Sequence, residues 1–145
     1  MADTYALEYV GVADGTLPAQ LADGRIIGSK VRSIRATKTA TALAAADRMY
    51  LGRLPRGAVV TAIRVTTDTS FGTSTLSIGT TAAPTKYCNV QTNTVTEKPV
   101  IIGPRATAAV LAPLTADEDI WLTVGTATLA GATVAAFVIE YKIAS

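Results

Sequence analysis

The chain of 145 residues contains no histidine and a single cysteine. Without histidine it lacks the side chain that titrates near neutrality, the usual general base and the commonest metal ligand. A Ser-His-Asp triad is excluded outright. Cys88 alone closes no internal disulfide and builds no thiolate zinc site. It sits in Lys86-Tyr87-Cys88-Asn89-Val90, where it reads as a small half-buried strand residue; a reactive thiol is the other reading. Aromatic residues make up 6% of the chain and charged residues 17%, the latter below the usual quarter. No apolar run reaches the roughly 18 residues of a membrane span. The start, Met1-Ala2-Asp3-Thr4-Tyr5, has neither the basic nor the hydrophobic region of a secretory signal, so none is expected.

What is present is apolar and small. Hydrophobic residues reach 49%, mean hydropathy is +0.34, and Ala and Thr together form about a third of the chain. A chain of this length buries a core as one domain. An apolar excess with no evident chemistry points to a subunit whose exposed surface is covered by neighbours.

Charge is segregated although the net value is +2. Residues 1–24 carry Asp3, Glu8, Asp14 and Asp23 and no base. Residues 25–64 carry nine bases against Asp47 alone. Such a basic stretch can meet nucleic acid, but here the bases are dispersed singly through apolar strands without interleaved aromatics. Solvated strand faces and pairing with an acidic neighbour are the expectation, with no nucleic acid and no membrane as partner.

The hydrophobic pattern is that of strands. Tyr5, Leu7 and Tyr9 alternate with Ala6, Glu8 and Val10, after which Gly11, Asp14-Gly15, Pro18 and Asp23-Gly24 interrupt any regular element. Residues 1–24 therefore read either as an extended arm ordered by partners or as a strand of the main sheet with its loop. A domain over residues 25–145 follows. Ile34 and Ala36 share a face in the first alternating run. Residues 40–46, rich in Ala, favour a helical turn by propensity but are too few for a stable helix. Met49, Leu51 and Arg53 alternate with Tyr50, Gly52 and Leu54 up to the turn at Pro55-Arg56-Gly57. From Ala58 to Asp68, β-branched residues dominate, with Val59, Thr61, Ile63, Val65 and Thr67 on one face. Leu76 and Ile78 face inward in a short strand. Tyr87–Val95 reads as an edge strand, and Val100–Ile102 as a brief one between prolines. Pro113 makes 108–114 an edge or bend. Asp117-Glu118-Asp119 is a solvated turn before the alternating Ile120, Leu122 and Val124. Residues 126–131 form a hairpin connection to a last strand with Phe137, Ile139, Tyr141 and Ile143 on one side. Eight or nine strands without a long helix make an all-β, single-domain β-sandwich or jelly-roll-like barrel.

Chemical motifs are missing. Leu-Ala-Asp-Gly-Arg-Ile-Ile-Gly-Ser-Lys reverses the final pair of a phosphate-binding loop and lacks its strand–helix context. Asp117-Glu118-Asp119 offers hard oxygens to calcium, yet adjacent acids in a strand turn ordinarily face water. No catalytic residue, cofactor site or metal site is assigned.

Tyr50-Leu51-Gly52-Arg53-Leu54-Pro55-Arg56-Gly57-Ala58-Val59, followed by Asp68-Thr69-Ser70-Phe71-Gly72-Thr73-Ser74-Thr75-Leu76-Ser77-Ile78-Gly79-Thr80, resembles small virion proteins of tailed bacteriophages. Pro84-Thr85-Lys86-Tyr87 and the Leu114–Glu118 step look similar too. The resemblance spans about residues 45–125 and lies in turns and alternation. It implies a non-enzymatic capsid decoration (cement) protein, or a related head-surface protein, on the virion surface, assembled in the host cytoplasm, with the major capsid protein and copies of itself as partners. A closed ring such as a trimer is the expected self-assembly. Candidate assembly contacts are Tyr5, Leu7, Tyr9, Val10, Arg32, Arg35 and Arg56. Two other classes remain: a receptor- or carbohydrate-binding β-sandwich of a tail, fibre or head appendage, and a small hydrolase. The hydrolase has no plausible nucleophile–base pair.

Overall fold

The computed structural model describes residues 30–38 and 40–143. These form eight strands: β1 (Arg32–Thr37), β2 (Arg48–Leu54), β3 (Ala58–Thr67), β4 (Thr75–Gly79), β5 (Cys88–Gln91), β6 (Val100–Gly103), β7 (Glu118–Gly125) and β8 (Ala135–Ile143). A four-residue helix, α1 (Ala108–Leu111), lies between β6 and β7. All strand pairs are antiparallel. One sheet has the order β1-β8-β3-β6 and the other β2-β7-β4-β5. The pairs β4·β5, β3·β6, β2·β7 and β1·β8 are nested about the middle of the chain. That is a long hairpin rolled on itself, the strand order of a jelly roll.

The two inward faces meet in one core. Ile63, Val65, Phe137 and Ile139 from the first sheet and Leu76, Ile78, Ile120, Leu122 and Val124 from the second are all at most 1% exposed. The alternation read for β4, β7 and β8 is the one observed. Ile34 and Ala36 of β1 pack against this core. Cys88 is fully buried, and burial pushes its thiol up from the ordinary value.

Four local readings need correction. The faces of β2 and β3 are not continuous, because each strand carries a β-bulge. Tyr50 pairs with Trp121 and Gly52 with Ile120, so Leu51 is the extra residue. After it the parity inverts: Leu51 and Leu54 are both buried, and Arg53 is exposed. In β3 the extra residue is Thr61, between Val60 and Ala62. Ala58 and Val60 are buried before it, and Ile63, Val65 and Thr67 after it. A bulge re-aims side chains without ending the strand.

The Ala-rich stretch around residue 43 is no helical turn. Leu43 and Leu129 exchange both backbone hydrogen bonds, at 3.0 and 2.7 Å, and Ala46 has φ +75°. Cross-chain pairing outweighs propensity where the run is too short to repay helix nucleation. Conversely, α1 occupies part of the stretch read as an edge or bend. It inserts Val110 into the end of the core at 2% exposure. Leu114 then exchanges hydrogen bonds with Gly57 and Ala58. Finally, residues 126–131 make no hairpin, since β7 and β8 belong to different sheets.

Gly79 ends β4 where the following loop folds back over the sheet. A Cβ there would stand 2.6 Å from the Pro84 carbonyl carbon and closer still to the Ala83 oxygen. That loop is braced internally: Thr80 N–H donates to the Ala83 carbonyl at 3.0 Å, and Ala83 N–H to Thr80 Oγ1 at 3.1 Å. Gly79→Ala is expected to destabilise the fold by about 1–3 kcal/mol. Urea unfolding should show a lower midpoint with an unchanged slope.

Candidate assembly and recognition surface

Three of the sequence-derived contact residues fall within the described structure, and they do not form one site. Arg32 and Arg35 lie exposed on β1, a sheet edge, opposite Tyr141 and Val138 respectively. Arg35 borders a shallow groove of about 420 Å³ with Thr66, Asp68, Glu97, Val134 and Val138. The Asp68 carboxylate accepts the Val134 N–H and the Thr69 hydroxyl, each at 2.9 Å, and these bonds hold it below the ordinary aspartate value. Arg56 is in the β2–β3 turn, where its backbone N–H donates to Asp117 Oδ1 at 2.7 Å. Tyr5, Leu7, Tyr9 and Val10, like the rest of residues 1–24, lie outside the described residues.

The acids at 117–119 are ties between elements and not a free solvated turn. Asp117 holds the Arg56 backbone. Glu118, the first residue of β7, forms an ion pair with Lys86 and accepts the Tyr87 hydroxyl at 2.7 Å. Tyr87 is 1% exposed; burial first, then the Glu118 bond, raises its phenol far above the ordinary value. It stays protonated and is unsuited to proton transfer near neutrality. Asp119 faces the other way, to Arg53 and Tyr50. The three carboxylates thus diverge to separate partners, and among the described residues no acidic, histidine or cysteine cluster is spaced to hold a metal.

The densest group of exposed recognition side chains is one that the sequence reading absorbed into strand alternation. On the outer face of β2 and β7, the Tyr50 and Trp121 rings meet edge to face, centroids 5.1 Å apart and planes at 64°. The Arg48 guanidinium lies over the Trp121 ring, 4.3 Å from its centroid, and donates from Nη1 to Thr81 Oγ1 at 2.9 Å. Asp119 Oδ1 accepts both the Tyr50 hydroxyl and Arg53 Nε at 2.9 Å. The Arg53 and Tyr50 bonds hold the Asp119 carboxyl below its ordinary value, while the same contacts raise Tyr50 and Arg53. The loop folded over Gly79 delivers Thr81 and walls one side of this face. The signal was available in the alternation of β7, which turns Trp121 outward between Ile120 and Leu122. The register of β2 on β7, invisible in sequence, sets Tyr50 opposite it.

Chains of two phage capsids share this fold. One belongs to the cyanophage Pam1 capsid asymmetric unit, with 21% identity, 91% of this chain and 99% of that chain covered, and a TM-score of 0.59. The other belongs to the capsid of Ralstonia phage GP4, with 18% identity, 81% and 85% covered, and a TM-score of 0.57. Likeness at such identities is one of fold. No family model matches the sequence, and no curated protein matches it.

The Asp119 contacts fix a pH dependence. A carboxyl whose folded pKa is depressed contributes stability that is complete above its unfolded value and is lost as pH falls through the folded one. With 3.8 as the ordinary value, Asp119 stabilises the protein at neutral pH and ceases to do so in strong acid. Asp119→Asn should therefore lower the urea midpoint at pH 7 and flatten its decline on acidification relative to the unsubstituted protein.

Proposed function

We propose that the chain is a non-enzymatic virion structural protein: a capsid decoration, or cement, protein that contacts the major capsid protein many times over the head surface. The carrying observation is the fold match across nearly the whole length of a chain from a phage capsid assembly. The sequence supports the same reading through its turn pattern at residues 45–125 and its lack of histidine. Fold alone does not dictate function; here it agrees with an independent physical argument. A rigid β-body with many copies on a lattice sums weak contacts into firm attachment and needs no cofactor.

Residues 1–24 act in this reading as the anchoring arm, with Tyr5, Leu7, Tyr9 and Val10 as its contact side chains. The body offers a place for it. Among the described residues β1 is an edge of its sheet, and Arg32 and Arg35 there have no carboxylate partner. An extended acidic segment can add to such an edge through main-chain hydrogen bonds, while charge sets its register. Exchange of arms around a closed ring would give the homo-oligomer, with a trimer favoured.

Two measurements test this. Virions from the phage whose genome encodes the chain should contain it on the head at stoichiometric copy number by electron cryo-microscopy; its presence on a tail or fibre would favour the appendage reading instead. Deletion of residues 1–12 should leave the β-sandwich folded by circular dichroism while abolishing attachment to the particle or assembly of the oligomer in sedimentation. A truncated protein that binds with full affinity would make the segment a peripheral tail, and one that does not fold would make it a core strand.

A further inference from the structure

We propose that the Arg48–Tyr50–Trp121 face is a binding site for a carboxylated saccharide of the uronate type. The site does not depend on the capsid reading, which would only multiply it over many copies. Three observations carry it.

The first is the state of Arg48. Arg53, Arg64 and Lys86 each face a carboxylate, from Asp119, Glu140 and Glu118 respectively. Arg48 is held by the Trp121 ring on one side and by the Thr81 hydroxyl on another. Neither partner neutralises it, and no carboxylate among the described residues reaches it. A guanidinium has five N–H donors in a planar fork; one of those on Arg48 is used. A cation ordered in advance with its remaining donors free suits bidentate capture of a carboxylate, at little entropic cost.

The second is Tyr50. The residue is 48% exposed, although the Trp121 edge contact and the Asp119 hydrogen bond fix its position. An immobilised aromatic face beside a free guanidinium matches a pyranose uronate, which presents C–H bonds on one face and a carboxylate at its rim. Arg53 and Thr81 border the rings with polar groups suited to ring hydroxyls.

The third is scale. The apolar surface here amounts to the exposed Tyr50 and the half-buried Trp121, within a border of Arg48, Arg53, Asp119 and Thr81. The other exposed large apolar residues among the described ones, Val31, Val90, Ile101, Leu111 and Val134, lie outside β2 and β7. A stable protein partner needs roughly 800 Å² on each side. One or two sugar units need far less.

The chain's single tryptophan is part of the site, so its emission reports binding directly. The full chain is titrated at low ionic strength with oligogalacturonate, with its methyl ester (same ring, no charge) and with polyglutamate (same charge, no ring). The expected result is a saturable change in Trp121 emission with oligogalacturonate alone. Affinity should fall about tenfold or more in Arg48→Ala, in Arg48→Lys, which loses the fork, and in Tyr50→Ala. Thr81→Ala, which leaves the rings untouched, should fall by less. Circular dichroism of each variant confirms that the fold is retained. Absence of a saturable response, or an undiminished response in Arg48→Ala, overturns the proposal. An equal response to polyglutamate overturns it in favour of an acidic protein surface as the occupant.

Discussion

The burial of two sheet faces against each other is the interaction on which this molecule depends. Neither four-stranded sheet can hide its apolar side alone, and every connection except β4–β5 crosses from one sheet to the other. The chain therefore builds both sheets together. Phe137 and Ile139 of the last strand meet Leu76 and Ile78 from the middle of the sequence in one core. Such non-local pairing makes folding slow relative to helical domains of similar size, because loop closure precedes the reward of contact. It also explains the two bulges. A strand that serves one core along its whole length must correct its parity wherever its apolar residues fall out of step, as at Leu51 and Thr61.

Once the core is satisfied by inward residues, the outer faces are free of packing duty. The polar groups that would be costly inside are tied where strands and loops meet. Glu118 joins Lys86 and Tyr87, Asp119 joins Arg53 and Tyr50, and Arg64 pairs with Glu140 across β3 and β8. The Arg53–Asp119 pair is exposed and adds little stability; the other two are partly buried. Their effect is to fix side chains in place, so that the Tyr50–Trp121–Arg48 group presents a defined surface and not a set of mobile rotamers.

The closed core also determines where the molecule can be extended. A sandwich, unlike a closed barrel, leaves edge strands. β1 is one of them and directly follows the acidic segment of the sequence. Among the described residues no further strand lies beside β1, and Arg32 and Arg35 on it have no carboxylate partner.

The sequence by itself determined the class of structure and much of its strand inventory. β-branched alternation at 58–68, 120–124 and 135–143 leaves no competing helix, and the absence of histidine excludes a Ser-His-Asp triad. Those are local properties of composition and period. Which strands pair, which connections cross between sheets, and where parity inverts were decided only in three dimensions. The connection at 126–131 has hairpin residues but links opposite sheets. Residues 40–46 have helical propensity but pair with Leu129. The candidate recognition face is the clearest case: Arg48, Tyr50, Thr81 and Trp121 are spread over more than seventy positions, and no spacing rule joins them. A bulge in β2, the register of β2 on β7 and a loop lying across Gly79 bring them together, and each of these follows from how the two sheets pack.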